Sequence, residues 1–307
     1  MGDRVPPPIQ ERLGRLRWPV QGRLGRHTSG DERSRHLGPG LEYAGTREYV
    51  AGDDPRLIDW NLTARSAQAY VRQAHPDRGL DAWILLDRSR SLDWGTALQL
   101  KRDTAAELVA ATATLLARHG NRVGVILFDR TVQRVIRPQS GRRARAALLA
   151  ELKTPSLQET DGGTDLGGAL ALATRLIRHP SLLVVVSDFM AADGWQAPLR
   201  VLGLRHELVA AVVSDPRESD LPDVGLVTFE DPETGVQMDF DTGSASLRRR
   251  FREAALARDG ALRAELRSAR AALVEMSTDE EVLPQLLRFF RQSAALARRR
   301  PVAVRTA

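Results

Sequence analysis

Cysteine is absent from all 307 residues, which excludes disulfides and thiolate metal sites. Lysine is nearly absent. Only Lys101 and Lys153 stand among 45 basic residues, and the rest are arginine, a bias expected of a GC-rich genome. Aromatic residues make up 5% of the chain. No apolar run approaches the roughly 18 residues needed to cross a bilayer. The N-terminus, MGDRVPPPIQERLGRLRW, has charges and prolines where a signal peptide would have an apolar centre, so a cytoplasmic protein is expected. No G-x-x-x-x-G-K-[ST] loop is present to cradle phosphates, and no G-x-S-x-G elbow to carry a nucleophile. The six histidines form no H-E-x-x-H pair. His119 and His179 are expected in the last turns of helices, facing the helix dipole.

Hydrophobic residues make up 42% of the chain, enough for one large domain or two small ones. The net charge of +6 suggests nucleic-acid binding until it is located. Residues 1–36 hold eight arginines against four acids, and residues 288–307 hold six arginines and no acid. The body between them is therefore mildly acidic. A nucleic-acid binder needs its basic residues on a folded face with interleaved aromatics, and no specific nucleic acid is expected here.

Residues 1–36 are read as a basic, mostly disordered segment, and 294–307 as a basic tail. Residues 37–79 read as a β-rich extension with a break at Asp53-Asp54-Pro55. From Leu80 to about 293, apolar strands alternate with helical periodicity: DAWILLD, then a helix over TALQLKRDTAAELVAATATLLARHG, then RVGVILFD and TVQRVIR as a hairpin. GRRARAALLAELK and TDLGGALALATRLIRHP follow as helices, the second with Thr164 at its start. The fully apolar SLLVVVSD suits the centre of a parallel sheet. A helix near 195–203 then precedes the strand HELVAAVVSD. A hairpin near 224–241, turning at Glu233-Thr234-Gly235, a helix over 244–268, a strand at AALVEMST and a final helix complete the pattern. The fold class is α/β, with a mostly parallel sheet, one antiparallel edge strand and helices on both faces.

Ligands in such folds sit beyond the C-terminal strand ends, where the strand order reverses. Asp87 and Asp188 each end an apolar strand. Asp87, Ser89 and Ser91 form D-x-S-x-S, a second loop brings Gly162-Gly163-Thr164-Asp165, and a third brings Ser187-Asp188. Two carboxylates and three hydroxyls suit a hard, oxygen-preferring cation. Alternatively, the hydroxyls only cap helices and turns.

The set Asp87, Ser89, Ser91, Thr164 and Asp188 resembles the metal-ion-dependent adhesion site of von Willebrand factor type A domains. The stretch REYVAGDDPRLIDWNLTAR, with YVRQ and WGT after it, resembles a narrower group. That group is the bacterial family catalogued as domain of unknown function number fifty-eight, commonly encoded beside MoxR-type AAA+ ATPases. The resemblance implies a Rossmann-like von Willebrand A fold and one Mg²⁺ or Mn²⁺. Ser89, Ser91 and Thr164 would be direct ligands, and Asp87 and Asp188 direct or water-mediated ones. It also implies an adaptor for a MoxR-type ATPase, with a client protein that offers an Asp or Glu to the metal. Arg88 and Arg90 would shape the partner's approach. The block Arg47, Asp53, Asp54, Arg56, Asp59, Trp60 and Arg65 is either a salt-bridged corner or a docking surface. A metal-dependent phosphoryl-transfer or hydrolytic enzyme is the alternative, but beyond the metal ligands the sequence offers no general base.

Overall fold

A computed structural model describes residues 41–50, 53–66, 68–76, 80–118, 121–153, 163–230 and 236–299. Residues 1–36 and the turn Glu233-Thr234-Gly235 lie outside them, as do Gly162 and His119. The chain divides between Gly79 and Leu80 into two compact units.

In the smaller unit, β1 (Leu41–Glu48) pairs antiparallel with β2 (Tyr70–Pro76). A 3₁₀ turn at Pro55–Leu57 and the single-turn helix α1 (Trp60–Thr63) join them. Acidic side chains fix this connection. Asp54 accepts from the Arg56 amide at 2.9 Å, and Asp59 accepts from the Asn61 and Leu62 amides at 3.1 and 3.2 Å. Arg47 grips both oxygens of Asp53 at 2.7 and 2.6 Å. That bond, with the Val50 amide, holds the Asp53 carboxyl below its usual range. Three of the block's acids therefore have local structural work, whereas Trp60 is 67% exposed.

The larger unit is built on one six-stranded sheet, in the order β10-β7-β6-β3-β4-β5. Its strands are β3 (Asp81–Asp87), β4 (Arg122–Phe128), β5 (Val132–Gln139), β6 (Leu182–Ser187), β7 (Glu207–Ser214) and β10 (Ala272–Ser277). All pairs are parallel except β4 with β5, the antiparallel edge expected from the sequence. This strand order and pairing are those of a von Willebrand A-like α/β fold. A separate hairpin, β8 (Leu226–Glu230) and β9 (Gln237–Asp241), follows β7 in the chain.

Successive strand residues face opposite sides, and β3 divides accordingly. Ala82, Ile84 and Leu86 pack with α2 (Lys101–Arg118), α3 (Gly141–Lys153) and α7 (Val282–Arg299). Trp83 and Leu85 pack with α4 (Leu166–Leu176), α5 (Gln196–Arg205) and the C-terminal part of α6 (Ala245–Ser268). Near-continuous apolar strands are what burial on both faces requires.

Four boundaries differ from the sequence reading. α2 begins at Lys101 rather than near Thr96, because Thr96 is held by Asp215 and the Leu98 amide by the Thr278 carbonyl. α4 is capped by Asp165, whose side chain accepts from the Gly168 amide at 2.7 Å, so Thr164 lies just before the helix. α4 also ends at Leu176, which leaves His179 in the following loop, and α7 carries helical backbone through Arg299.

Candidate functional site

The strand order reverses at β3, whose neighbours β4 and β6 follow it in opposite directions across the sheet. Asp87 and Ser187 end β3 and β6 at this point, and the Ser187 hydroxyl donates to Asp87 Oδ2 at 2.6 Å. Oδ1 of Asp87 accepts the Ser89 amide at 2.9 Å, which turns the chain out of the strand. The Arg88 amide donates to the Phe128 carbonyl at 2.7 Å, tying the same loop to the end of β4.

Ser89 occupies the cap position of a 3₁₀ turn over Arg90–Asp93, but its hydroxyl makes no capping bond. That hydroxyl lies 3.0 Å from the hydroxyl of Ser91, and both residues are buried. Capping therefore does not explain Ser89. Arg88 is half-buried and Arg90 exposed.

Thr164 is half-buried, on a loop that the Asp165 amide anchors to the Asp129 carbonyl at 2.8 Å. Asp129 follows β4, so the Thr164 loop reaches the sheet edge that carries Asp87. Gly163 takes φ +120°, a backbone that a side-chain-bearing residue adopts only with strain.

Asp188 is buried beside Asp87. Burial, and then the charge of Asp188, push the Asp87 carboxyl up to about 7 against its hydrogen bonds from Ser187 and Ser89. Both oxygens of Asp188 accept hydrogen bonds, one of them from a buried ammonium. Oδ1 accepts the Met190 amide at 3.0 Å, and Oδ2 accepts Lys101 Nζ at 2.8 Å. Lys101 also donates to Glu218 Oε1 at 2.6 Å, and Glu218 Oε2 accepts the Asp215 amide at 3.0 Å. Burial works against the ammonium charge, but Asp188 and Glu218 outweigh it and hold the Lys101 pKa above its ordinary value. Asp215 in turn accepts from Thr96 and from the Thr278 hydroxyl.

Asp87, Ser89, Ser91 and Asp188 thus share one buried cluster, with Thr164 on an adjoining loop of the same edge. The block from Arg47 to Arg65 belongs to the other unit. Sequence reasoning missed Lys101, Glu218 and Asp215, and it named Ser187 without a role. The one available signal was that Lys101 is one of only two lysines among 45 basic residues. Among the described residues, no three histidine or carboxylate side chains are grouped to hold a metal. A cation at this edge would depend on hydroxyl oxygens.

Residues 45–261 match the family described as "Protein of unknown function DUF58". An uncharacterized protein of Mycobacterium bovis, Mb1516, is 35% identical over 298 residues, covering 96% of this chain and 94% of the relative. The Mycobacterium tuberculosis protein Rv1480 matches to the same extent. Among solved structures, BatB from Bacteroides thetaiotaomicron has a TM-score of 0.47 at 16% identity, covering 72% of this chain and all of that one. A von Willebrand factor type A protein from Catenulispora acidiphila scores 0.38 at 12% identity, covering 74% of this chain and 44% of that one. At such scores the fold assignment rests on strand order and pairing, not on these likenesses.

Proposed function

The chain belongs to the family described as "Protein of unknown function DUF58", and we propose that it is a metal-dependent protein-interaction module rather than an enzyme. In this reading it is a cytoplasmic adaptor for a MoxR-type AAA+ ATPase in complex assembly or chaperoning.

One observation carries the metal. The hydroxyls of Ser89 and Ser91 stand 3.0 Å apart, hydrogen-bonded to one another, and that of Ser89 does no capping. Two oxygens in adjacent positions of an octahedron of about 2.1 Å radius are also about 3.0 Å apart. The pair therefore fits one edge of an Mg²⁺ or Mn²⁺ coordination sphere. Asp87 supplies the anchoring carboxylate, held in place by the Ser89 amide and the Ser187 hydroxyl. Burial and the charge of neighbouring Asp188 raise its pKa to about 7. Thr164 adds a hydroxyl from a loop separate in sequence, and Asp188 completes the set.

A bound Mg²⁺ or Mn²⁺ would offer an electrophilic position to an Asp or Glu carboxylate of a client protein. The chain's part is to keep that position electrophilic. Ser89, Ser91 and Thr164 donate neutral oxygens, which leave the cation's charge poorly neutralised. Exposed Arg90 stands beside the serines in the chain, where it favours an acidic client. The ATPase partner follows from the sequence resemblance; its capture is expected to run through the same metal edge, and exposed Trp60 is the next surface to mutate if capture proves independent of metal.

Calorimetric titration tests the site. Wild-type protein is expected to bind one Mg²⁺ or Mn²⁺, and Asp87→Ala to bind none while keeping its circular dichroism spectrum. Undiminished affinity in Asp87→Ala would reject the assignment.

A further inference from the structure

The feature this reading does not use is a buried cation already inside the cluster. Lys101 opens α2, and its side chain is 2% exposed. It is 2.8 Å from Asp188 and 2.6 Å from Glu218. Its position is fixed from several elements. Glu218 straddles Lys101 and the Asp215 amide, while Asp215 fastens Thr96, Thr278 and the Arg217 amide. The Trp94 ring lies 5.9 Å from the ammonium.

A lysine suits this place where an arginine does not. Its compact ammonium reaches two carboxylates that converge from different elements, whereas a planar guanidinium is matched to one carboxylate face. The pairing also has a consequence for the metal. Oδ2 of Asp188 is committed to Lys101 and Oδ1 to the Met190 amide. A divalent ion seeking Asp188 must therefore approach a fixed positive charge.

We propose that Lys101 is a built-in counter-cation that holds Asp188 out of direct coordination and keeps the metal site weak and readily exchanged. The proposal rests on the metal reading above, and it divides the site's work. Asp87, Ser89, Ser91 and Thr164 bind the ion, while Asp188 steers it through water. Lys101 is thus a positioning residue. It sets how tightly the ion is held, and hence how readily a client's carboxylate exchanges with water at the metal.

Removing the ammonium alone changes the local charge and leaves two buried carboxylates facing each other, so Lys101→Met risks the fold. The double variant Lys101→Met/Glu218→Gln avoids this. It loses one positive and one negative charge together, so the cluster's total is unchanged and only the competition for Asp188 is removed. The three proteins are compared by titration with MgCl₂ alone, after circular dichroism and thermal melting show that each is folded. The expected result is Mg²⁺ binding in the double variant about tenfold or more tighter than in wild type, since Asp188 Oδ2 loses its ammonium partner and its charge is left to face the divalent ion in a partly desolvated site. Wild type that binds, with a folded double variant that binds no tighter, overturns the role of Lys101 and leaves the metal reading standing. Wild type that does not bind, with a double variant that does, overturns the metal dependence of the native protein and establishes Lys101 as the block. Absence of binding in both overturns both.

Discussion

Acid stability gives a sharp test of the fold that does not involve the candidate site. His206 ends α5 and leads into β7, at the sheet edge opposite the C-terminal strand ends. The residue is 3% exposed, and among the described residues neither of its ring nitrogens has a hydrogen-bond partner. Burial, and then the neighbouring charge of Arg205, lower its pKa to about 4. An unfolded histidine titrates near 6.5. Between these values the unfolded chain holds a proton that the folded chain refuses. The stabilising effect of neutral His206 is therefore complete above pH 6.5 and is lost as pH falls toward 4. At about 1.4 kcal/mol per unit, the loss reaches about 2 kcal/mol at pH 5 and about 3 kcal/mol at pH 4. His206→Leu keeps a similar volume and cannot take up the proton. Urea denaturation of both proteins from pH 7.5 to pH 5 removes the carboxylates' shared contribution by difference. The stability difference, variant minus wild type, is expected to rise by about 2 kcal/mol over that range. A difference that does not change with pH would show that His206 is solvated or partnered, and would refute the reasoning.

Gly203→Ala tests the packing of α5, because an added Cβ would lie 1.8 Å from the Ala269 carbonyl oxygen; a loss of about 1–3 kcal/mol or more is expected in denaturant melts. Thr164→Ala changes a half-buried loop residue outside regular structure. It is expected to cost the fold under about 1 kcal/mol, while weakening capture of the ATPase as strongly as Ser89→Ala. Parallel melts and pull-downs separate the two effects.

What was legible in the sequence follows from the range of the interactions involved. The apolar runs of β3 and β6 mark strands buried on both faces, and the D-x-S-x-S spacing places Ser89 and Ser91 in one loop with Asp87. Local signals suffice for both. The start of α2 was not legible, because Thr96 is drawn away by Asp215, 119 residues later. Helical periodicity carries no trace of such a contact. The sequence pattern places Thr164 at the helix start, but Asp165 has the cap geometry, a choice that one residue of register decides. The Lys101–Asp188–Glu218 cluster was missed because its members are 87 and 117 residues apart from Lys101. The acidic block from Asp53 to Asp59 offered two readings. The geometry gives Asp53, Asp54 and Asp59 local hydrogen bonds and leaves Trp60 exposed.

The most direct test of a metal-dependent interaction module is capture of the MoxR-type ATPase by wild-type protein and by Asp87→Ala, each with Mg²⁺ and with chelator. The expected result is capture by wild type in Mg²⁺, its loss on chelation, and none by Asp87→Ala in either condition. Equal capture in all four conditions would contradict the proposal and move the contact away from the Asp87–Ser89–Ser91 edge.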